Sequence, residues 1–242
     1  MTADAVTEDT LLQGRIHFFQ PVRGYRTSID PVLLSGFLMP PHGRFLEIGA
    51  GCGLLSFLLL SADPESRGDA VEIQQTMGDL ASRGVVRNGL QHRLQITVGD
   101  ARKLGAIPPD DRYDTVVCNP PYRTLGSGTL SENELRRLSN HEVTLSLDAW
   151  TQVAARMVSP NGRVGVVFPS EREVELFSAL QAAGLAVRRF RRVRPSPDRP
   201  PMRLLVQAQL GPGPLPDPEA DLFVHEGAGF SAEVRRMLGE QA

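Results

Sequence analysis

At 242 residues, with 41% hydrophobic and 22% charged side chains, the chain has enough apolar material to bury a core without disulfides or metal. Its formal net charge of −2 gives no overall field that would attract nucleic acid, so any such surface must be local. Two cysteines without a paired framework, five scattered histidines, no leader pattern and no apolar run near the roughly 20 residues of a membrane span exclude the secreted, metal-built and membrane classes. A cytoplasmic protein without metal or membrane partner is expected, as a monomer or weak homodimer.

Residues 1–10 are polar and read as a frayed terminus. Asp30-Pro31 has the form of a helix start, with Asp30 as cap and Pro31 at the first helical position. An alternation of elements follows. Arg44–Ile48 reads as a strand, Cys52–Ala62 as an apolar helix and Asp69–Ile73 as a strand. Gln74–Asn88 reads as a helix with Met77, Leu80, Ala81 and Val85 on one side, and Leu94–Val98 and Tyr113–Cys118 as strands. Beyond a Gly/Ser-rich stretch at 123–133, helices are expected near Leu145–Val158 and Glu171–Ala183 around a strand at Arg163–Phe168. Leu185–Val193 and Met202–Leu210 lack a helix between them and form a hairpin. The fold class is therefore α/β, a doubly wound Rossmann-like sheet, mostly parallel with a C-terminal antiparallel hairpin. Three regions are expected: an N-terminal segment 1–40, a main domain 41–210, and 211–242 as a linker with a short strand and helix.

Phe45-Leu46-Glu47-Ile48-Gly49-Ala50-Gly51-Cys52-Gly53 is a buried strand turning into a helix. Glycines allow positive φ and close ligand approach, and the helix N-terminus offers N–H groups to an anion. A dinucleotide loop is the other reading, but its third glycine would fall at Leu54. Glu47 is placed to meet a ligand ammonium group. Glu72, nineteen residues past Gly53, ends the next strand with Ile73 beside it and suits ribose hydroxyls. Asp100, followed by Ala101, suits an adenine amine, or else caps a helix. Acids at three successive strand ends point to a nucleoside-containing ligand in the crevice.

Asn119-Pro120-Pro121-Tyr122 follows the fourth strand of the alternation. Two prolines stiffen the loop and turn its carbonyls outward. The Asn119 side-chain oxygen and the Pro120 carbonyl can accept both hydrogens of an exocyclic amine, holding its nitrogen in line with a sulfonium methyl. Tyr122 can stack on the displaced base. The methyl donor implied is S-adenosyl-L-methionine, contacted by Glu47, Gly49, Ala50, Gly51, Gly53, Glu72, Ile73, Asp100, Ala101 and Asn119.

On these residues the chain resembles the class I methyltransferases of the bacterial tRNA(Val) adenine-N(6) type, which modify the adenosine beside the anticodon. The resemblance runs from Gln20-Pro21-Val22-Arg23-Gly24-Tyr25-Arg26 through Phe45–Gly53 and Asn119–Tyr122 to Gly229-Phe230-Ser231-Ala232-Glu233. It implies tRNA as partner and an N-terminal segment that packs over the cofactor, with Arg26 and Thr27 touching it. Pro31 departs from the small or aliphatic residue expected there, but fits a helix start.

Seven arginines crowd residues 188–203: Arg188, Arg189, Arg191, Arg192, Arg194, Arg199 and Arg203. They read either as an RNA-binding patch carried by Arg189 and Arg192, or as charge protecting an edge hairpin. Arg123 begins a segment, 123–141, that reads as a mobile substrate-binding loop. Protein glutamine methylation, DNA adenine methylation and non-catalytic binding are the competing functions. The first lacks an N-terminal helical domain, the second a target-recognition domain, and the third has no use for in-line acceptors.

Overall fold

The computed structural model describes residues 5–23, 26–38, 43–105, 111–120 and 145–240. Its centre is an eight-stranded sheet. In chain order the strands are β3 (Arg44–Ile48), β4 (Arg67–Glu72), β5 (Leu94–Val98), β6 (Tyr113–Cys118), β7 (Val158–Pro169), β8 (Leu185–Arg194), β9 (Arg203–Leu210) and β10 (Glu219–Phe223). In space the order is β10-β8-β9-β7-β6-β3-β4-β5. All pairs are parallel except those of β9, which runs antiparallel to both β7 and β8. The expected hairpin is thus present, but it is not an edge. β9 is wedged inside the sheet and β10 covers β8.

Side-chain alternation along the strands splits the core into two layers. Phe45, Ala70, Leu94, Val117, Val167 and Leu205 pack on one face with helices α1 (Asp30–Leu38) and α2 (Leu54–Ala62), together with Met77, Leu80 and Val85 of α3 (Gln75–Arg87). Leu46, Ile48, Val116, Cys118, Val164 and Val206 face the other way, against α4 (Leu147–Met157) and α5 (Glu173–Ala182). Trp150 on α4 is 1% exposed and anchors that second layer. No described helix is long and apolar enough to cross a membrane.

The expectation of a frayed terminus fails for residues 6–10. Val6–Leu11 forms strand β1, paired antiparallel with β2 (Ile16–Pro21). Its polar residues are not idle. Gln20, 4% exposed, donates to Asp9 (2.8 Å) and accepts from the Thr27 N–H (2.7 Å). The hairpin docks on the end of α3, where the Asn88 side chain accepts from His17 N–H (2.9 Å) and donates to His17 C=O (2.6 Å), as a neighbouring strand would. At the other terminus α6 (Ala232–Met237) lies on α1, and Gly36 leaves the space that Met237 occupies.

Candidate active site

Every parallel strand ends on one rim, where ligands of such sheets bind. Registers place Ile48 level with Cys118 on one side and Val71 on the other, Glu72 level with Val98, and Val166 level with Cys118. One step onward, Asn119 therefore stands beside Gly49, with Glu72 on the next strand. At about 4.8 Å per strand this row spans roughly 10 Å.

Gly49, Gly51 and Gly53 have φ of 75°, 55° and 82°, which β-carbon-bearing residues resist. Gly49 and Ala50 donate to the Val71 carbonyl at 2.8 and 3.1 Å, so the turn is fixed to β4. Among the described residues, a Cβ added at Gly49 would meet nothing within 4 Å, and one at Gly51 only Met77 Cε at 3.8 Å. Toward the described residues the outer face of this loop leaves room, as a cradle for a nucleoside-bearing ligand needs.

Glu72 is 4% exposed and holds that cradle from the side. One oxygen accepts from Gly51 N–H (2.8 Å) and the other from Gln74 N–H (2.9 Å), which orients the carboxylate toward the rim. Beside it Ile73 leaves 39% of its surface exposed, an apolar platform next to the Glu72 carboxylate. Asp100 caps the short 3₁₀ turn Ala101–Lys103 and chelates the Arg102 guanidinium (2.7–3.0 Å), which holds its carboxyl below the usual range. Asp100 thus does cap a helical turn, and Ala101 is buried beside it.

Glu47, 2% exposed, takes the Ser56 N–H (3.0 Å) and the Ser56 hydroxyl on one oxygen. Gly53, the residue before α2, has no side chain to cap that helix, so the preceding strand supplies the acceptor. Burial pushes the Glu47 carboxyl up to about 8, against the opposing Ser56 bonds and with a further push from Glu72. Ser56 itself is fully buried, and the sequence reading passed over it. A lone hydroxyl in Leu-Leu-Ser-Phe-Leu-Leu-Leu was the available signal. Burial also raises the Cys118 thiol, which precedes Asn119 and is inert as a nucleophile.

Asn119 is half-buried and Pro120 buried at the end of β6, whereas Pro121, Tyr122, Arg123 and the 123–141 segment lie outside the described residues. Arg26 and Thr27 are committed to the N-terminal hairpin: Arg26 binds Asp9 (2.8 Å), Thr7 and the Pro21 carbonyl, and Thr27 N–H binds Gln20. The acid that pairs with Arg26, Asp9, lies in β1.

The arginine cluster resolves into ion pairs. Arg189 is paired with Glu219 (2.6 Å) and stacks on Phe37 at 4.2 Å. Arg192 is paired with Glu173 (2.8 Å), Arg191 with Glu233 (2.5 Å), Arg194 with Asp221 (2.5 Å) and Arg203 with buried Asp30 (3.1 Å). Arg189 and Arg192, expected at an RNA surface, here tie β8 to its neighbours through these pairs. The acids come from α1, β10, α5 and α6, at sequence separations that no local pattern reveals.

The sheet order, the open glycine loop and the strand-end acids define a Rossmann-like enzyme of the methyltransferase class. A family model described as "Methyltransferase small domain" matches residues 30–175, and the chain belongs to that family. It is 31% identical over 215 residues to a "tRNA1(Val) (adenine(37)-N6)-methyltransferase" of Vibrio vulnificus, covering 88% of this chain and 87% of the relative. The Aliivibrio fischeri protein of the same name is 29% identical, with 88% and 89% covered. A crystal structure titled as a predicted O-methyltransferase from Agrobacterium tumefaciens superposes with a TM-score of 0.67 at 18% identity, covering 88% of this chain and 98% of that one, and speaks to the fold alone.

Proposed function

We propose that this chain is an S-adenosyl-L-methionine-dependent N-methyltransferase that modifies the exocyclic amine of adenine in tRNA. The observation that carries the reading is that Asn119-Pro120 directly follow Cys118, which is level with Ile48 at the start of the glycine turn, one strand from the Val71–Glu72 end of β4. The acceptor class draws support from the names of the relatives, which specify adenine 37 of tRNA1(Val). When bound, the cofactor supplies an electrophilic methyl on a sulfonium.

The chain's residues then have separate tasks. Glu72, pre-oriented by Gly51 and Gln74 N–H groups, accepts from the ribose hydroxyls. Ile73 covers one face of the adenine ring, and the glycines admit the methionyl portion against the α2 N-terminus. The Asn119 side-chain oxygen and the Pro120 carbonyl accept the two amine hydrogens, aim the nitrogen lone pair, and stabilise the positive charge that develops on it. Tyr122 stacks on the everted base.

The test is transfer of a labelled methyl group onto unmodified total tRNA, followed by nucleoside analysis. Label in N(6)-methyladenosine supports the reading. Label found on protein alone would replace it with glutamine methylation.

A further inference from the structure

Six of the seven arginines between 188 and 203 have internal partners. Five hold carboxylates, and Arg188 donates to the Pro212 carbonyl at 3.1 Å. Arg199 is different: its guanidinium makes no hydrogen bond or ion pair with any described residue, and it is exposed. The adjacent Asp198 feels its charge, but the Asp198 carboxylate is held by the Ser196 hydroxyl at 2.6 Å.

The segment that carries Arg199 is stiff. Residues 195–201 include Pro195, Pro197, Pro200 and Pro201, which fix four φ angles before folding. Arg199 N–H donates to Ser196 C=O (3.1 Å), Arg194 donates to Arg199 C=O (3.0 Å), and Ser170 donates its hydroxyl to Pro201 C=O (2.5 Å). The backbone of Arg199 is thus fixed, and its exposed guanidinium has no hydrogen-bonded or ion-paired partner among the described residues, which leaves its purpose to be found outside them.

Its position supplies one. β8 runs parallel to β7, so the β8–β9 turn is on the rim that bears Asn119. β9 begins with Arg203 opposite Pro169, and Pro169 is three residues beyond Val166, the residue level with Cys118. The turn therefore stands above the Asn119 level and two to three strands aside, a separation on the order of 10–15 Å from strand spacing and rise. An RNA loop whose target base enters at Asn119 would bring a neighbouring phosphate to that height.

We infer that the β8–β9 turn is an RNA-phosphate contact with Arg199 as its charge, whereas the strand arginines are structural. This rests on the tRNA reading above. The experiment measures binding of unmodified tRNA to the full chain between 50 and 200 mM salt (a range chosen because phosphate contacts respond steeply within it). Arg199→Ala should reduce the slope of log affinity against log salt by about 0.7–1, one phosphate contact, and Arg199→Lys should restore it. S-adenosylmethionine affinity should not change in either variant. Arg192→Ala should leave the slope intact and lower Tm. An unaltered slope for Arg199→Ala, in a chain that still binds and methylates tRNA, overturns the inference alone. A wild-type chain with no salt-dependent tRNA binding overturns it together with the acceptor reading.

Discussion

Glu47 and Glu72 are adjacent strand-end acids with opposite situations. Glu72 is satisfied by two backbone N–H groups, whereas Glu47 is sealed in with one serine and holds its proton up to about 8. Unfolded, Glu47 titrates near 4.5, so above that value folding requires the native state to take up a proton. Its contribution to stability is whole below about 4.5, falls as pH rises, and is lost near 8. Glu47→Gln should therefore flatten the fall in Tm between pH 5 and 8, melting near wild type at pH 5 and above it at pH 8. A parallel pair of Tm curves would remove the assignment. Glu72→Ala takes away both the proposed ribose acceptor and the anchor of Gly51, and should weaken cofactor binding at least tenfold by calorimetry. Asn119→Ala should leave that affinity within a few-fold while slowing methyl transfer by about a hundredfold or more, read in single-turnover assays. The sites of these three acceptors were legible because strand ends and glycines are local signals. The orientation of Glu47 was not, since Ser56 reaches it only after α2 has formed nine residues on.

The central strands β3 and β6 could be read from their apolar residues, because a parallel strand buried on both faces leaves little room for polar side chains, and β4 and β5 from their place in the alternation. β1 could not. Thr7, Glu8, Asp9 and Thr10 give it the look of solvent-exposed chain, and its role depends on Gln20, Arg26 and Asn88, up to 81 residues away from Thr7. A strand identified by its hydrogen-bonding partners instead of by burial leaves almost no trace in hydropathy. Asn88 is the residue that fastens it. Asn88→Ala should cost about 1–3 kcal/mol in urea unfolding, since it strips partners from both His17 backbone groups, and should increase proteolysis near the hairpin. A loss below about 0.5 kcal/mol would mean that the Glu8–Arg87 pair and the buried Ile16, Phe18 and Phe19 hold the hairpin without it.

At the scale of the molecule, charge is segregated by use. Glu219, Asp221 and Glu233 of the C-terminal segment each meet an arginine of β8, while the segment's strand β10 covers the β8 edge. Individually such half-exposed pairs contribute only about 0–1 kcal/mol. Together they mark residues 211–240 as part of the sheet. Truncation after Leu210 should leave β8 as an uncovered edge with three bare arginines, and light scattering should show association on warming that the full chain does not. A truncated chain that stays monodisperse with an unchanged melting curve would show the segment to be dispensable.

The wedged strand β9 has a consequence in time. β8 leaves the ribosome before β9, yet its partners in the sheet are β9 and β10, both still to come. The β3–β7 half can pair as it is made, but β8 must wait for Arg203–Leu210 to insert against β7. Loop closure from Asp30 to Arg203 spans 173 residues and comes with the same event. Assembly of the nascent chain therefore has a built-in last act, and slow synthesis across residues 195–210 would prolong the life of a half-sheet with β7 unpaired on one side.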